Sequence, residues 1–202
     1  MKSVLSIFDP LKPGSSNEML LRLRCDSQSI NYYGDLSRYI CKFVLGFETL
    51  SLLDVGPRTG SGLATLRLLH HPFAFNRLKF DPVVGVDLDP EFVRIAETEF
   101  RDIEARIGDI FDMADNSFDV VTCSHTIEHI PDPGSFVEKL ARIARRALFV
   151  ACPFEEVARV PGHCVTITRE FFNEHKFEDV EVYDSNHWHN GLCCLAYRNT
   201  AG

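Results

Sequence analysis

Three features of the sequence predict an α/β fold, a Rossmann-like doubly wound parallel sheet with helices on both faces. From residue 51 onward, apolar runs of strand length alternate with segments whose apolar residues recur at helical spacing. Successive strand-like runs end in glycine or aspartate, the residues that serve a ligand at the carboxyl edge of such a sheet. The 202 residues, 45% hydrophobic and 25% charged, can build one core without a disulfide or metal staple.

The elements follow in order. Residues 1–34 are turn-rich (Pro10, Pro13, Gly14, Gly34), with a short amphipathic helix expected around Asn17 to Arg24. A helix is expected over 35–45, with Leu36, Tyr39, Ile40 and Phe43 on one face. The run from Ser51 to Val55 reads as a first strand, and Leu63, Leu66 and Leu69 place a helix from about Ser61 to His70. Val83 to Asp87 reads as a second strand. Asp89 then caps a helix that has Pro90 in its first position and Phe92, Ile95 and Ala96 as its apolar stripe. A third strand spans Ile103 to Ile107 and a fourth Phe118 to Cys123. A helix carries Phe136, Leu140, Ile143 and Ala144, with Lys139, Arg142, Arg145 and Arg146 expected on its exposed side. A fifth strand covers Ala147 to Cys152, a short helix capped by Thr168 reaches His175, and strands around Val180–Val182 and Leu192–Tyr197 close the chain. Right-handed crossovers bring the carboxyl ends of the parallel strands to one edge, so the residues just after each strand are the ones to inspect.

The first strand ends in Asp54-Val55-Gly56-Pro57-Arg58-Thr59-Gly60-Ser61-Gly62, a turn whose glycines let a ligand touch backbone. The helix that follows aims its N-terminal N–H groups at the same place, which suits a carboxylate or phosphate. A tight turn without a ligand is the bland alternative. Asp87 ends the second strand, where a carboxylate accepts from a ribose diol. Gly108-Asp109-Ile110 ends the third, where Asp109 can accept from an exocyclic amine while Ile110 packs on its ring.

These segments resemble class I S-adenosylmethionine-dependent methyltransferases of the small-molecule, type 11-like kind. D-V-G-P-R-T-G-S-G is similar to the family's glycine motif and V-V-G-V-D-L-D-P to its ribose motif. G-D-I and D-N-S-F-D-V-V-T-C-S-H-T-I-E-H-I resemble its adenine segment and fourth strand. The likeness is close over residues 50–152 and looser elsewhere. It implies a seven-stranded sheet, mostly parallel, with one antiparallel strand near the C-terminus. It also implies one domain of residues 1–202, in which a helical cap segment (1–45) covers a cofactor-binding core (46–202). The implied cofactor is S-adenosyl-L-methionine, with its methionine part near Asp54, Gly56 and Gly60. Asp87 would then hold the ribose, Leu88 and Ile110 would flank adenine, Asp109 would receive its amine, and Ser124 and His125 would sit by the sulfonium. Arg58 stands where the family usually has glycine. It either clamps the cofactor carboxylate or crowds the loop, and the sequence leaves both open.

His125 and His129 follow the fourth strand and His163 the fifth; these three are the candidate catalytic residues. Either of the first two can take a proton from an acceptor, or shape the pocket through backbone bonds. His125-Thr126-Ile127-Glu128-His129 also matches the H-x-x-E-H zinc signature. That signature needs a long helix, and Pro131 and Pro133 argue against one, so no metal is expected. His187-Trp188-His189 reads as a solvated turn. An acceptor pocket is expected under residues 15–45, the segment after Ser124 and the segment from Phe154 to Val165, rich in Tyr32, Tyr33, Phe154 and His163.

The net charge of −8 disfavours a nucleic-acid partner. No apolar run reaches the ~20 residues of a membrane span, and the first residues, MKSVLSIFDPLKPG, do not read as a secretory leader. Seven cysteines without a C-x-x-C pair suit a reducing, cytoplasmic setting, Cys123 and Cys152 being expected as buried apolar residues. The expected partner is a small-molecule acceptor, and a homodimer is compatible with this reading. A catalytically inactive binding or regulatory protein on the same fold is the alternative. A nicotinamide-dependent enzyme fits badly, since the loop reads G-x-x-x-G-x-G and not G-x-G-x-x-G.

Overall fold

The computed structural model describes residues 26–188 and 190–201. The helix expected around Asn17 to Arg24 lies outside them, as does His189. The described elements are α1 (Ser27–Phe43), β1 (Thr49–Val55), α2 (Ser61–Leu69), β2 (Lys79–Asp87), α3 (Pro90–Glu99), β3 (Glu104–Ile107), β4 (Phe118–Ser124), α4 (Pro133–Ile143), β5 (Ala144–Phe154), α5 (Arg169–Glu174), β6 (Asp179–Tyr183) and β7 (Leu192–Asn199). Single 3₁₀ turns at Ile110–Asp112 and Ile127–His129 follow β3 and β4.

The strands form one sheet in the order β3-β2-β1-β4-β5-β7-β6. Strand β7 runs antiparallel to both β5 and β6, and the β3-β2-β1-β4-β5 pairings are parallel. Side chains alternate across the pleat, so neighbouring residues feed opposite cores. Leu52 and Val120 join Tyr39, Leu63, Leu66 and Phe92 beneath α1, α2 and α3. Leu53 and Val121 join Val137, Leu140 and Phe172 on the α4–α5 side. Among the described residues no helix is long and apolar enough to cross a membrane.

Two expectations are corrected. Helix α1 begins at Ser27, eight residues before the expected start at 35. Asp26 caps it by accepting from the Ser29 N–H at 3.1 Å. Asn31 and Gly34 are weak helix formers, but Tyr32, Tyr33 and Leu36 are buried against the sheet, and that packing overrides local preference. Helix α4 ends at Ile143 with no loop before β5, so Arg145 and Arg146 lie on the strand and not on the helix. Lys139 is buried, donating to the Met113 carbonyl at 2.6 Å and pairing with Asp115.

Candidate active site

Register pairs Val55 with Val86 and with Cys123, and Asp87 with Ile107, so the tips of β1, β4, β2 and β3 lie side by side. At the β1 tip, Gly56 takes φ 75° and donates its N–H to the Val86 carbonyl at 2.9 Å. Arg58 is also left-handed, at φ 49°, which an L side chain adopts only at a cost. Its backbone N–H donates to Asp87 Oδ2 at 3.2 Å, and Asp87 Oδ1 accepts from the Asp89 N–H at 2.9 Å. Asp87 therefore shapes the loop, while Asp89 caps α3 through the Glu91 N–H. Asp109 likewise accepts from the Phe111 N–H at 3.0 Å.

A cavity of about 200 Å³ opens between these tips. Its walls are apolar, from Leu88, Ile110, Phe111 and Phe136, with the carboxylates of Asp87 and Asp109 set among them. Leu88 is 71% exposed, so one broad apolar face is left for a flat ligand to cover. An ionised carboxylate offers about four acceptor positions, so both aspartates keep free lone pairs after their backbone bonds.

A second cavity of about 190 Å³ shares Gly56 with the first. It gathers Tyr32 and Tyr33 from α1, Ser124 and His125 from the β4 tip, and Glu128, His129, His163 and Trp188 from the loops beyond. All three candidate catalytic histidines line it. His125 sits at φ 51° and stacks on Tyr32 at 3.7 Å between ring centroids, its Nδ1 3.2 Å from Ser124 Oγ. Burial, with repulsion from His163 and His129 as the lesser cause, pulls its pKa down to about 3. His129 Nδ1 lies 2.8 Å from the Gly162 carbonyl, and His163 Nδ1 lies 2.7 Å from Glu156 Oε2. Trp188 stacks on His163 at 5.7 Å. Glu128 is 1% exposed; burial, with a smaller push from Glu156, raises its pKa to about 8.

Of the residues expected to hold a cofactor, Gly56, Arg58, Asp87, Leu88, Asp109, Ile110, Ser124 and His125 line one or both cavities. Asp54 and Gly60 do not. Asp54 is fully buried behind the wall, accepting from Tyr33 Oη at 2.5 Å and from Thr122 Oγ1 at 2.6 Å. Gly60 N-caps α2 at φ 78°, backed by the rings of Phe92 and Phe100. Phe154 is likewise no part of the acceptor roof: it is buried in β5, paired with Leu192. The backbone between Ile127 and His129 is one 3₁₀ turn, so His125 and His129 do not share a helix face. Sequence reasoning gave no place in the cavity to Gln28, Glu128 or Trp188. The E of H-x-x-E-H pointed to Glu128, whereas a loop tryptophan met only through tertiary contact left no signal.

A family model described as a methyltransferase domain matches residues 53–151, which span β1 to β5. Over that stretch the chain is similar to methyltransferases. The ubiquinone biosynthesis O-methyltransferase of Alkalilimnicola ehrlichii is 26% identical to it over 114 residues. That match takes in 53% of this chain and 42% of the relative, so the chain spans less than half of that protein's length. The methyltransferase architecture recurs in magnesium protoporphyrin IX methyltransferase from Synechocystis PCC 6803, solved with bound SAH. The TM-score is 0.63 and the identity 13%, over 96% of this chain and 90% of that one. It recurs also in the [4+2]-cyclase SpnF, at TM-score 0.62 and 12% identity over 94% and 97%. A cyclase on the methyltransferase fold means that architecture alone does not fix the chemistry, which has to be argued from the cavities.

Proposed function

We propose that this chain is an S-adenosylmethionine-dependent methyltransferase acting on a small organic acceptor. The observation that carries the reading is the pair of cavities meeting at Gly56, one apolar with two carboxylates and the other lined by histidines and tyrosines. The first fits adenosine: Leu88 and Ile110 flank the base, Asp109 receives its amine and Asp87 accepts from the ribose hydroxyls. Gly56, Arg58 and Ser124 border the space left for the methionine end, and Asp54 acts from behind by fixing Tyr33. Gly60 serves through the turn that presents Gly56. When bound, the cofactor supplies a methyl group already activated by its sulfonium, so alignment supplies most of the acceleration.

The second cavity then takes the acceptor. Its sides come from α1 and from the loops after β4, β5 and β6, which supports the reading of a cap over a core. His125 is held neutral, and so low a pKa makes it a weak proton acceptor at neutral pH. Its stack on Tyr32 suits it to positioning. A carbonyl and a carboxylate only accept, so Nδ1 is the donor in both His129 and His163, and in the neutral ring Nε2 carries the lone pair. Those lone pairs are available to an acceptor hydroxyl or to an ion that binds one. The six described cysteines are free, Cys152 and Cys194 even at 3.6 Å between sulfurs, which supports a reducing, cytoplasmic setting.

Calorimetry with S-adenosylmethionine and S-adenosylhomocysteine tests the reading, followed by transfer of labelled methyl to a panel of small phenols, amines and acids. Binding of both ligands with transfer to at least one acceptor is expected. Failure to bind either ligand overturns it and favours a non-catalytic protein.

A further inference from the structure

The acceptor cavity holds a group of side chains that adenosine recognition does not use. One ligand atom each from Glu128, His129 and His163 lies within 4.8 Å of the other two. We propose that these three side chains bind a divalent transition-metal ion, beside the cofactor cavity and facing the acceptor.

The donor set is two imidazoles and one carboxylate, a combination that suits Zn²⁺, Fe²⁺ or Co²⁺ better than Mg²⁺ or Ca²⁺. Each imidazole is already prepared for coordination. His129 is fixed through Nδ1 by the Gly162 carbonyl, and His163 through Nδ1 by Glu156, which leaves Nε2 as the ligand atom in both. An outer carboxylate or carbonyl on the far ring nitrogen is the arrangement that orients metal-bound histidines. The two rings meet edge-on at 89°, with centroids 4.8 Å apart, so their lone pairs need not point past one another.

An independent observation points to a missing partner. Glu128 is 1% exposed and its Oε2 has no hydrogen-bond partner. Glu156, 7% exposed, also keeps an unpartnered Oε1. An orphaned buried carboxylate oxygen is costly, and here two occur in one small region. A divalent cation would satisfy Glu128 directly and offset the charge of both.

Three protein ligands leave coordination positions open, and Tyr32, Tyr33 and Trp188 line the same cavity. A bound ion would lower the pKa of an acceptor hydroxyl there, which would release its proton to solvent and leave the oxyanion, the form that attacks a methyl carbon. This deepens the proposed function and rests on it for the role of the ion, though not for the binding of the ion itself. It also relocates the H-x-x-E-H signature: its glutamate and second histidine take part, while the third ligand comes from the loop after β5 and not from His125.

The test uses the metal-free full chain titrated with Co²⁺, followed by visible d–d absorption, with Zn²⁺ as competitor. One Co²⁺ per chain is expected, displaced by Zn²⁺. Glu128→Gln, His129→Ala and His163→Ala are each expected to weaken Co²⁺ binding at least tenfold and to bleach the bands. His129 is exposed, so His129→Ala keeps the test decisive if a more buried variant fails to fold. Wild-type chain without bands, or a His129→Ala chain with unchanged affinity, overturns the proposal. S-adenosylhomocysteine binding is measured in parallel. Its retention without metal binding removes the ion site alone, and its loss with metal binding intact removes the methyltransferase reading alone.

Discussion

The hydroxyl of Tyr33 donates to the buried carboxylate of Asp54 at 2.5 Å, joining α1 to the strand that starts the glycine turn. Thr122 supplies the second donor, at 2.6 Å. Removing the first leaves a buried carboxylate oxygen without a partner. Tyr33→Phe is therefore expected to cost about 2 kcal/mol of stability, the scale of a hydrogen bond to a charged group. Urea unfolding of the two proteins measures it, and equal stabilities would show that the contact is not made in solution.

The same carboxyl predicts a pH effect. Burial is the main cause that lifts the Asp54 pKa to about 6, against the donors Thr122 and Tyr33, which lower it. Unfolded, it titrates near 3.8. Between these values the folded chain holds a proton that the unfolded chain has lost, so Asp54 takes stability away as pH rises from about 4 to 6, and nothing further above that. Asp54→Asn cannot ionise. Its stability relative to wild type is expected to improve across that window by up to about 3 kcal/mol, then level off. A difference independent of pH would mean that Asp54 titrates normally.

Gly62 offers a steric counterpart. A Cβ there would lie 2.2 Å from the Tyr33 ring, so alanine has to push Tyr33 off Asp54. Gly62→Ala is expected to destabilise by roughly 1–3 kcal/mol and to make α1 an early site of proteolysis. Wild-type melting and digestion would refute it.

Arg58 bears on the departure in the glycine motif. Its left-handed backbone costs about 1 kcal/mol that glycine does not pay, so Arg58→Gly is expected to raise the melting temperature. Its N–H bond to Asp87 survives the change, being a backbone group. Any change in S-adenosylhomocysteine affinity then reports the side chain: tighter binding if it crowds the cavity, weaker if it clamps a carboxylate.

Asp87→Ala is expected to weaken S-adenosylhomocysteine at least tenfold, both by losing the ribose acceptor and by freeing the Arg58 and Asp89 N–H groups. Asp87→Asn keeps an acceptor oxygen and is expected to lie between. Unchanged affinity in the alanine variant would take Asp87 out of the site.

The sequence announced most of the sheet because its central strands β1, β4 and β5 are largely buried on both faces and its turns carry Gly56, Asp87 and Asp109 at their ends. Length and punctuation were enough. The start of helix α1 was hidden because its first half contains the weak helix formers Asn31 and Gly34 and packs through Tyr33 against Gly62 of α2, a contact no local pattern records. The glycine motif pointed toward a ligand at Asp54 and Gly60, yet these residues act one layer behind the cavity. Spacing reports which residues share a turn, not which of them face outward. The gathering of Glu128, His129, His163 and Trp188 was illegible for a different reason. They come from three separate loops, and nothing in a linear chain records where those loops meet.

Three tyrosines of α1 each reach a different part of the molecule: Tyr32 the His187 carbonyl at 3.0 Å, Tyr33 Asp54, and Tyr39 the Asp179 carboxylate at 2.7 Å. The helix is thus anchored at three points along its length. The loop before β7, the β1 tip and the start of β6 are thereby tied together through a single helix, so a change at any one of these contacts bears on the placement of the other two.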